Sequence, residues 1–326
     1  MKTQFRRREL LIASAAAACG AASTVQAQGL LKPGSTVKYV VPFPPGGLTD
    51  LMARTVAKGM GEAMGLSFVV ENKAGAGGQT GADQVAKAPA DGSSILAITL
   101  THAANYTLFP QAPFNFVKDL RPVALLASSP MLIVVPAASP IKSFAELMAA
   151  AKAKPLNAGS SGNGTPPHLT QAMFSQLNKS ALTHVPYRGG APSIVDLIGG
   201  QLDVIFSNFP ESIAHVKSGK LRALALCSPA RHPMLPDIPT SAEAGMPGLL
   251  VENWTGAMVH AAVPDAIVER YSREMIKLMF SREVEERSTQ PGFRLMPQGA
   301  GDFAVFLKAE TERWARIIKT AKITVA

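Results

Sequence analysis

The run Val40-Val41-Pro42-Phe43-Pro44-Pro45-Gly46-Gly47-Leu48-Thr49-Asp50-Leu51-Met52-Ala53-Arg54 constrains the fold more than any other stretch of the chain. Val37 to Val41 is short, apolar and β-branched, which predicts a buried strand. Three prolines then stiffen the backbone and remove three N–H donors. Gly46 and Gly47 do the reverse, admitting positive φ and the close approach of another molecule. Thr49 is placed to cap a following helix, and Asp50 falls in its first turn. Strand, stiff loop and helix in that order leave the free donors at a helix N-terminus, where unpaired N–H groups and the dipole favour an anion. An ordinary βα turn punctuated by Gly and Pro would read the same way.

The pattern recurs along the chain. Phe68 to Val70 reads as a strand, Glu71 to Gly78 as a loop whose Gly75-Ala76-Gly77-Gly78 lets backbone N–H groups face a ligand, and Thr80 to Ala88 as a helix. A dinucleotide fingerprint fails here, because Thr80 stands where the third glycine belongs. Ser94 to Thr99 is a third buried strand. It ends in Thr101 and His102, at the strand end where open α/β sheets place ligand contacts. A histidine satisfied within its own turn is the competing reading of His102. Residues 109–119 read as irregular. Val123 to Ser128 and Met131 to Pro136 are two apolar runs broken by Ser-Ser-Pro, the second leading into a new domain.

Ser143 to Glu146 is a capping box for a helix reaching Lys152. Strand Leu156 to Ala158 precedes the loop Gly159 to Thr165, with Ser160 and Ser161, and a helix from Pro166 through His168 to Asn178. A hydrolase elbow is excluded there, since Asn163 stands where the second glycine is needed. Strand Leu182 to Tyr187, loop Arg188 to Pro192 and a helix from Ser193 to Ile198 follow. Arg188 has the fork geometry to meet a carboxylate, although a surface role is equally compatible with a loop arginine. Strand Asp203 to Phe206 ends in Ser207-Asn208, followed by a helix over 212–218 and a strand over 221–227. A short helix over 240–244 stops at Gly245. A strand-like run over 249–259 and two amphipathic helices, 265–280 and 301–320, close the chain.

A 326-residue chain with 47% hydrophobic and 17% charged residues is globular, and long enough for two domains. Arg6-Arg7-Arg8, an Ala-rich apolar stretch from Ile12 to Ala22 and Val25-Gln26-Ala27 predict an export signal over 1–27, of twin-arginine type. That segment holds four cations and one anion, so +6 of the formal +9 remains on residues 28–326. No basic run interleaved with aromatics points to nucleic acid, and the scattered histidines show no i,i+4 pair for a metal. Cys19 leaves with the signal, and its surroundings lack the usual leucine of a lipid-anchor motif. Cys227 lies in an apolar run and reads as a buried thiol.

Four βα loops rich in glycine and hydroxyl or amide groups, in an exported α/β chain, suggest a ligand clamped between two lobes. The chain resembles the Bug family, the extracytoplasmic solute-binding receptors of tripartite tricarboxylate transporters. The stretches that carry the resemblance are Val41 to Asp50 with Ala53-Arg54, Glu71-Asn72 with Gly75 to Gly78, Gly159 to Gly164 with His168, Val185 to Gly189, and Asp237 to Gly245. It implies a two-lobed, periplasmic-binding-protein-like α/β fold, each lobe a mostly parallel sheet flanked by helices. Lobe 1 would take 28–130 plus 251–326 and lobe 2 would take 131–250. The resemblance further implies a periplasmic monomer without catalytic residues, metal or cofactor, which gives a small carboxylate to membrane permease subunits. Carried over residue by residue, the site comprises Phe43, Pro45, Gly46, Gly47, Thr49, Asp50, Gly75, Ala76, Gly77 and Gly78 with Thr101 and His102 on one lobe. Ser160, Ser161, Thr165, His168, Tyr187, Arg188 and Asn208 come from the other. Asp50 is expected to accept loop N–H bonds and fix the turn, or to meet a hydroxyl or amine. The chain departs from the family's usual pattern at Pro89 to Ser93, and in having Arg188 where Lys is frequent. An exported enzyme, or a sensing partner that uses the same site, are the other readings.

Overall fold

The computed structural model describes residues 31–325; the expected export signal and Cys19 lie outside them. In chain order the elements are β1 (Thr36–Val41), α1 (Leu48–Met64), β2 (Ser67–Asn72), a 3-10 turn (Ala76–Gly78), α2 (Gln79–Ala86), β3 (Ser94–Thr99), α3 (Leu100–Leu108) and β4 (Leu120–Pro136). Then come α4 (Phe144–Ala153), β5 (Leu156–Ser160), α5 (Pro166–Asn178), β6 (Leu182–Pro186), α6 (Gly190–Ile198), β7 (Val204–Asn208), α7 (Phe209–Lys217) and β8 (Leu221–Leu226). The chain closes with β9 (Glu252–His260), α8 (Asp265–Met279), α9 (Arg282–Thr289), β10 (Arg294–Gly299) and α10 (Ala300–Thr320).

The strands form two mixed sheets joined through one shared strand. One has the order β2-β1-β3-β9-β4-β10, the other β8-β4-β7-β5-β6. The parallel character expected of each sheet holds for β2-β1-β3 and for β6-β5-β7. The remaining ladders are antiparallel: β4 runs opposite to β9 and β10 in one sheet and to β7 and β8 in the other, and β9 runs opposite to β3. Strand β4 belongs to both sheets. Leu120 to Pro130 pairs with β9, and Met131 to Pro136 pairs with β7 and β8. The two apolar runs that Ser-Ser-Pro divides in the sequence are therefore one strand. Pro130 is the last residue of β4 paired with β9, so its missing N–H falls at the end of that ladder, at the step where the strand changes sheets. A second crossing lies beside it: Met131 N donates to Val251 O at 3.2 Å and Cys227 N to Met131 O at 2.9 Å.

Helix α1 buries Leu48, Met52, Val56 and Met60, a four-residue spacing that lays one apolar stripe against the first sheet. It ends at Gly65, whose φ of +64° turns the chain back. Helix α10 packs on α3 and β4, with Trp314 fully buried. Glu310, on α10, accepts from the indole N–H groups of Trp254 at 2.9 Å and Trp314 at 3.3 Å, fastening the last helix to β9. Residues 241–245 form turns and not the short helix expected there, and β10 was not apparent from the sequence. No helix among the described residues is long and apolar enough to cross a membrane.

Gly256, in the middle of β9, allows that strand to lie against its neighbours. A Cβ there would come within 2.7 Å of Ala124 O and of the Phe303 ring. Neither a ladder carbonyl nor a buried ring yields cheaply. Gly256→Ala is expected to lower stability by roughly 1–3 kcal/mol, read as a lowered Tm in thermal unfolding; an unchanged Tm would contradict this packing.

Candidate functional site

The βα loops leave the carboxyl ends of β1, β3, β5, β6 and β7 on one side of their sheets, and meet in a cleft between the lobes. Contact across the cleft is direct. Pro44 packs on Gly189, Gly77 lies against Asn163 O, and a Cβ on Gly164 would collide with Asn105 Oδ1. Between these contacts lies a narrow cavity of about 50 Å³ lined by Phe43, Gly47, Thr49, Thr101, Ser161 and Asn208, among others.

Four helices begin at this space without a side-chain cap: α1 after Gly47, α5 after Thr165, α6 after Gly189 and α7 after Asn208. Their unequal donor supply follows from the sequence. Pro166 and Pro167 strip N–H groups from α5, Pro192 from α6 and Pro210 from α7. The N-terminus of α1 keeps every donor, because its prolines all lie in the preceding loop. Thr49 does not cap α1 as expected; Gly47 is the N-cap, and Thr49 is a buried first-turn residue.

Asp50 holds that helix start in place from within its own lobe. Its Oδ2 accepts from Gly46 N and from Arg54 Nε, both at 2.9 Å, and its Oδ1 from Asn72 Nδ2 at 2.9 Å. Asn72 Nδ2 also lies 3.0 Å from Phe43 O. Gly46 has φ of +83°, a conformation only glycine adopts without strain. Burial pushes the Asp50 carboxyl up, but the bonds from Arg54, Gly46 and Asn72 outweigh it and hold it below the usual range. Asp50 thus fixes the loop and does not line the cleft.

Among the other expected residues, the central cleft gathers Phe43, Pro45, Gly47, Thr49, Thr101, Ser161, Thr165 and Asn208. Gly75, Ala76, Gly77, Gly78, Tyr187 and Arg188 line a wider outer cleft that shares Phe43 and Ser161 with it. There the Tyr187 hydroxyl donates to Asp196 Oδ2 at 2.6 Å. His102 sits behind the glycine loop, in a capping box with Thr99, and its Nε2 faces the Gly78 backbone. Burial brings its pKa down to about 4, so it is neutral. His168 accepts from Gly164 N at 3.1 Å and stacks on His184. Burial and then the His184 ring bring its pKa down to about 4 as well. Ser160 Oγ and His184 Nε2 are 2.6 Å apart. Ser160 and His168 therefore brace the loop, away from the cleft lining.

Two buried polar atoms in the cleft wall have no partner within the protein, Thr101 Oγ1 and Asn253 Oδ1. The sequence reading missed Asn253, and it missed Glu211. Glu211 is in the first turn of α7, and its Oε1 accepts from Leu48 N at 3.3 Å across the cleft. A Cβ on Gly190 would run into Glu211 Oε2, so the carboxylate also stands against the start of α6. Burial pushes its carboxyl up, against bonds from Asn208 and Leu48 that act the other way. The signal for it was present: Asn208-Phe209-Pro210 places an N-cap and a first-turn proline, which starts the helix before Glu211.

The model of the tripartite tricarboxylate transporter family receptor matches residues 52–323. The chain belongs to that receptor family. A UPF0065 protein from the tcbD–tcbE intergenic region of Pseudomonas sp. strain P51 is 37% identical over 289 residues, covering 88% of this chain and 86% of that protein. Protein BugT of Bordetella pertussis is 32% identical over 291 residues, covering 88% and 89%. Among solved structures, periplasmic binding protein BugD superposes with a TM-score of 0.85 at 30% identity, covering 90% of this chain and all of that one. Rpa4515 of Rhodopseudomonas palustris with adipate gives 0.87 at 32%, covering 90% and 99%. MatC of the same organism with bound malate gives 0.82 at 31%, covering 88% and 100%. The resemblance to Bug receptors and the two-lobed binding-protein fold are thereby established, and at the family level the chain is a solute-binding receptor and not an enzyme.

In this receptor Asp50 ties three donors to one turn. Asp50→Ala leaves them without that acceptor and is expected to lower stability by roughly 1–3 kcal/mol at pH 7. Because the folded-state pKa lies below the unfolded one, the contribution is full above about pH 4 and is lost as pH falls through the folded value. Thermal unfolding of both proteins from pH 7 to pH 2.5 should show the gap close with acid; a gap independent of pH would contradict this role.

Proposed function

We propose that this receptor captures a small mono- or dicarboxylate between its lobes and delivers it to the membrane permease subunits of a tripartite tricarboxylate transporter. The observation that carries the reading is the N-terminus of α1, which lines the cleft and whose N-cap Gly47 offers no side-chain cap, with Thr101 Oγ1 beside it without a partner; of its donors Leu48 N meets Glu211 across the cleft. Such an end favours negative charge. The relatives with bound adipate and malate carry ligands of this class. The ligand carboxylate is held by α1 N–H groups and the Thr101 hydroxyl. Phe43, Pro44 and Pro45 give the space an apolar wall that suits an aliphatic or aromatic chain. The receptor works as a periplasmic monomer. Residues 28–130 and 251–326 form one lobe and 131–250 the other, and β4 with the segment near Val251 serves as the hinge.

Function follows from closure. A ligand that bridges the lobes binds the closed form better than the open one, and the closed surface is what a permease distinguishes. Residues 28–326 screened by thermal shift against aliphatic, aromatic and amino-acid carboxylates should show at least one acid that raises Tm. A hundredfold excess over Kd adds about 2.7 kcal/mol of stability, which is several degrees. Thr101→Val should weaken that acid about fivefold, by loss of one hydrogen bond. No response across the panel from a folded, ligand-stripped protein would overturn the carboxylate reading.

A further inference from the structure

Glu211 is a carboxylate already present where the cleft is richest in donors. Its Oε1 takes Leu48 N of α1, and its Oε2 stands against the start of α6. A first-turn acid that merely steadied its own helix would face solvent. This one reaches a residue 163 positions away, on the opposite wall.

Its presence fixes the polarity of that wall through a chain of amides. Asn208 bonds the Glu211 carboxylate, and an amide reaches a carboxylate only through its Nδ2 donor. Asn208 Oδ1 is thereby the acceptor, and it receives Asn253 Nδ2 at 2.8 Å. Asn253 Oδ1 is left as an acceptor, buried in the cleft wall with no partner in the protein. One wall of the cleft offers donors from α1 and Thr101. The facing wall offers two acceptors, Glu211, whose Oε1 meets Leu48 N, and Asn253 Oδ1. A second carboxylate placed there would meet a like charge and an unpaired carbonyl, whereas an N–H donor would satisfy both.

We propose that Glu211 sets the ligand class: a carboxylate whose far end carries an ammonium or a carboxamide, in preference to a dicarboxylate. The proposal rests on the carboxylate reading above and narrows it. A like charge without a counterion weakens binding steeply, while removing the repulsive group relaxes the choice.

The test is calorimetric titration of residues 28–326 with three matched series of four, five and six carbons. Each series holds the dicarboxylate, its monoamide and the corresponding ω-amino acid, and adipamide serves as a probe without a carboxylate. At the length that fits, the wild type should bind the monoamide or amino acid at least tenfold tighter than the dicarboxylate. Glu211→Gln and Glu211→Ser, checked for fold by circular dichroism, should narrow or reverse that ratio. Dicarboxylate binding as tight as the others in the wild type overturns the proposal and leaves the carboxylate reading standing, and this arm needs no variant. An equal gain for all three ligands in both variants also overturns it, since Glu211 would then be competing for the ligand carboxylate's own position. Binding of adipamide with no response to any carboxylate removes the carboxylate reading itself, and the proposal with it.

Discussion

The organisation of the cleft depends on how the first turn of α1 is held. A helix N-terminus that is to bind something else cannot be capped by its own side chains, yet it must stay rigid. Here the anchoring is moved one step back. Asp50, inside the first turn, turns away from the cleft and ties Gly46, Arg54 and Asn72 together. The prolines of the loop add stiffness without adding competing donors. The outcome is a fixed helix end whose N–H groups face the opposite lobe, with an acid nearby that is already neutralised by its partners.

The second lobe answers this arrangement with fewer donors. Prolines sit in the first turns of α5, α6 and α7, so three helix starts that look alike in outline offer much less to an anion than α1 does. The asymmetry gives a ligand a direction in the cleft. Glu211 and Asn253 sharpen it by presenting acceptors on the far wall. The bond from Leu48 to Glu211 joins the two walls of the cleft directly.

Much of this was legible in the sequence, for a definite reason. Gly and Pro punctuate βα loops strongly, so the loops at 43–50, 75–78, 159–165 and 188–192 could be located before any strand was paired. Asp50 was expected either to fix the turn or to meet a ligand hydroxyl or amine, and its bonds to Gly46, Arg54 and Asn72 fit the first. What could not be read locally was anything that depends on two distant segments. Ser128-Ser129-Pro130 looks like a break, but β4 passes through it, because two different sheets claim the two halves of the strand. Ser160 and His168 carry the right chemistry and flank the right loop, at the end of β5 and the start of α5, yet they turn toward His184 and Gly164. Glu211 was passed over because Phe209-Pro210 reads as loop when the proline is not recognised as a first-turn residue.

The most direct measurement is a crystal structure of residues 28–326 with the acid that gives the largest thermal shift. A ligand carboxylate oxygen is expected about 3 Å from Thr49 N and from Thr101 Oγ1, with Asp50 still bonded to Gly46. A carboxylate seated instead in the outer cleft beside Gly75 to Gly78, with the first turn of α1 untouched, would contradict the assignment of that helix end as the anchor.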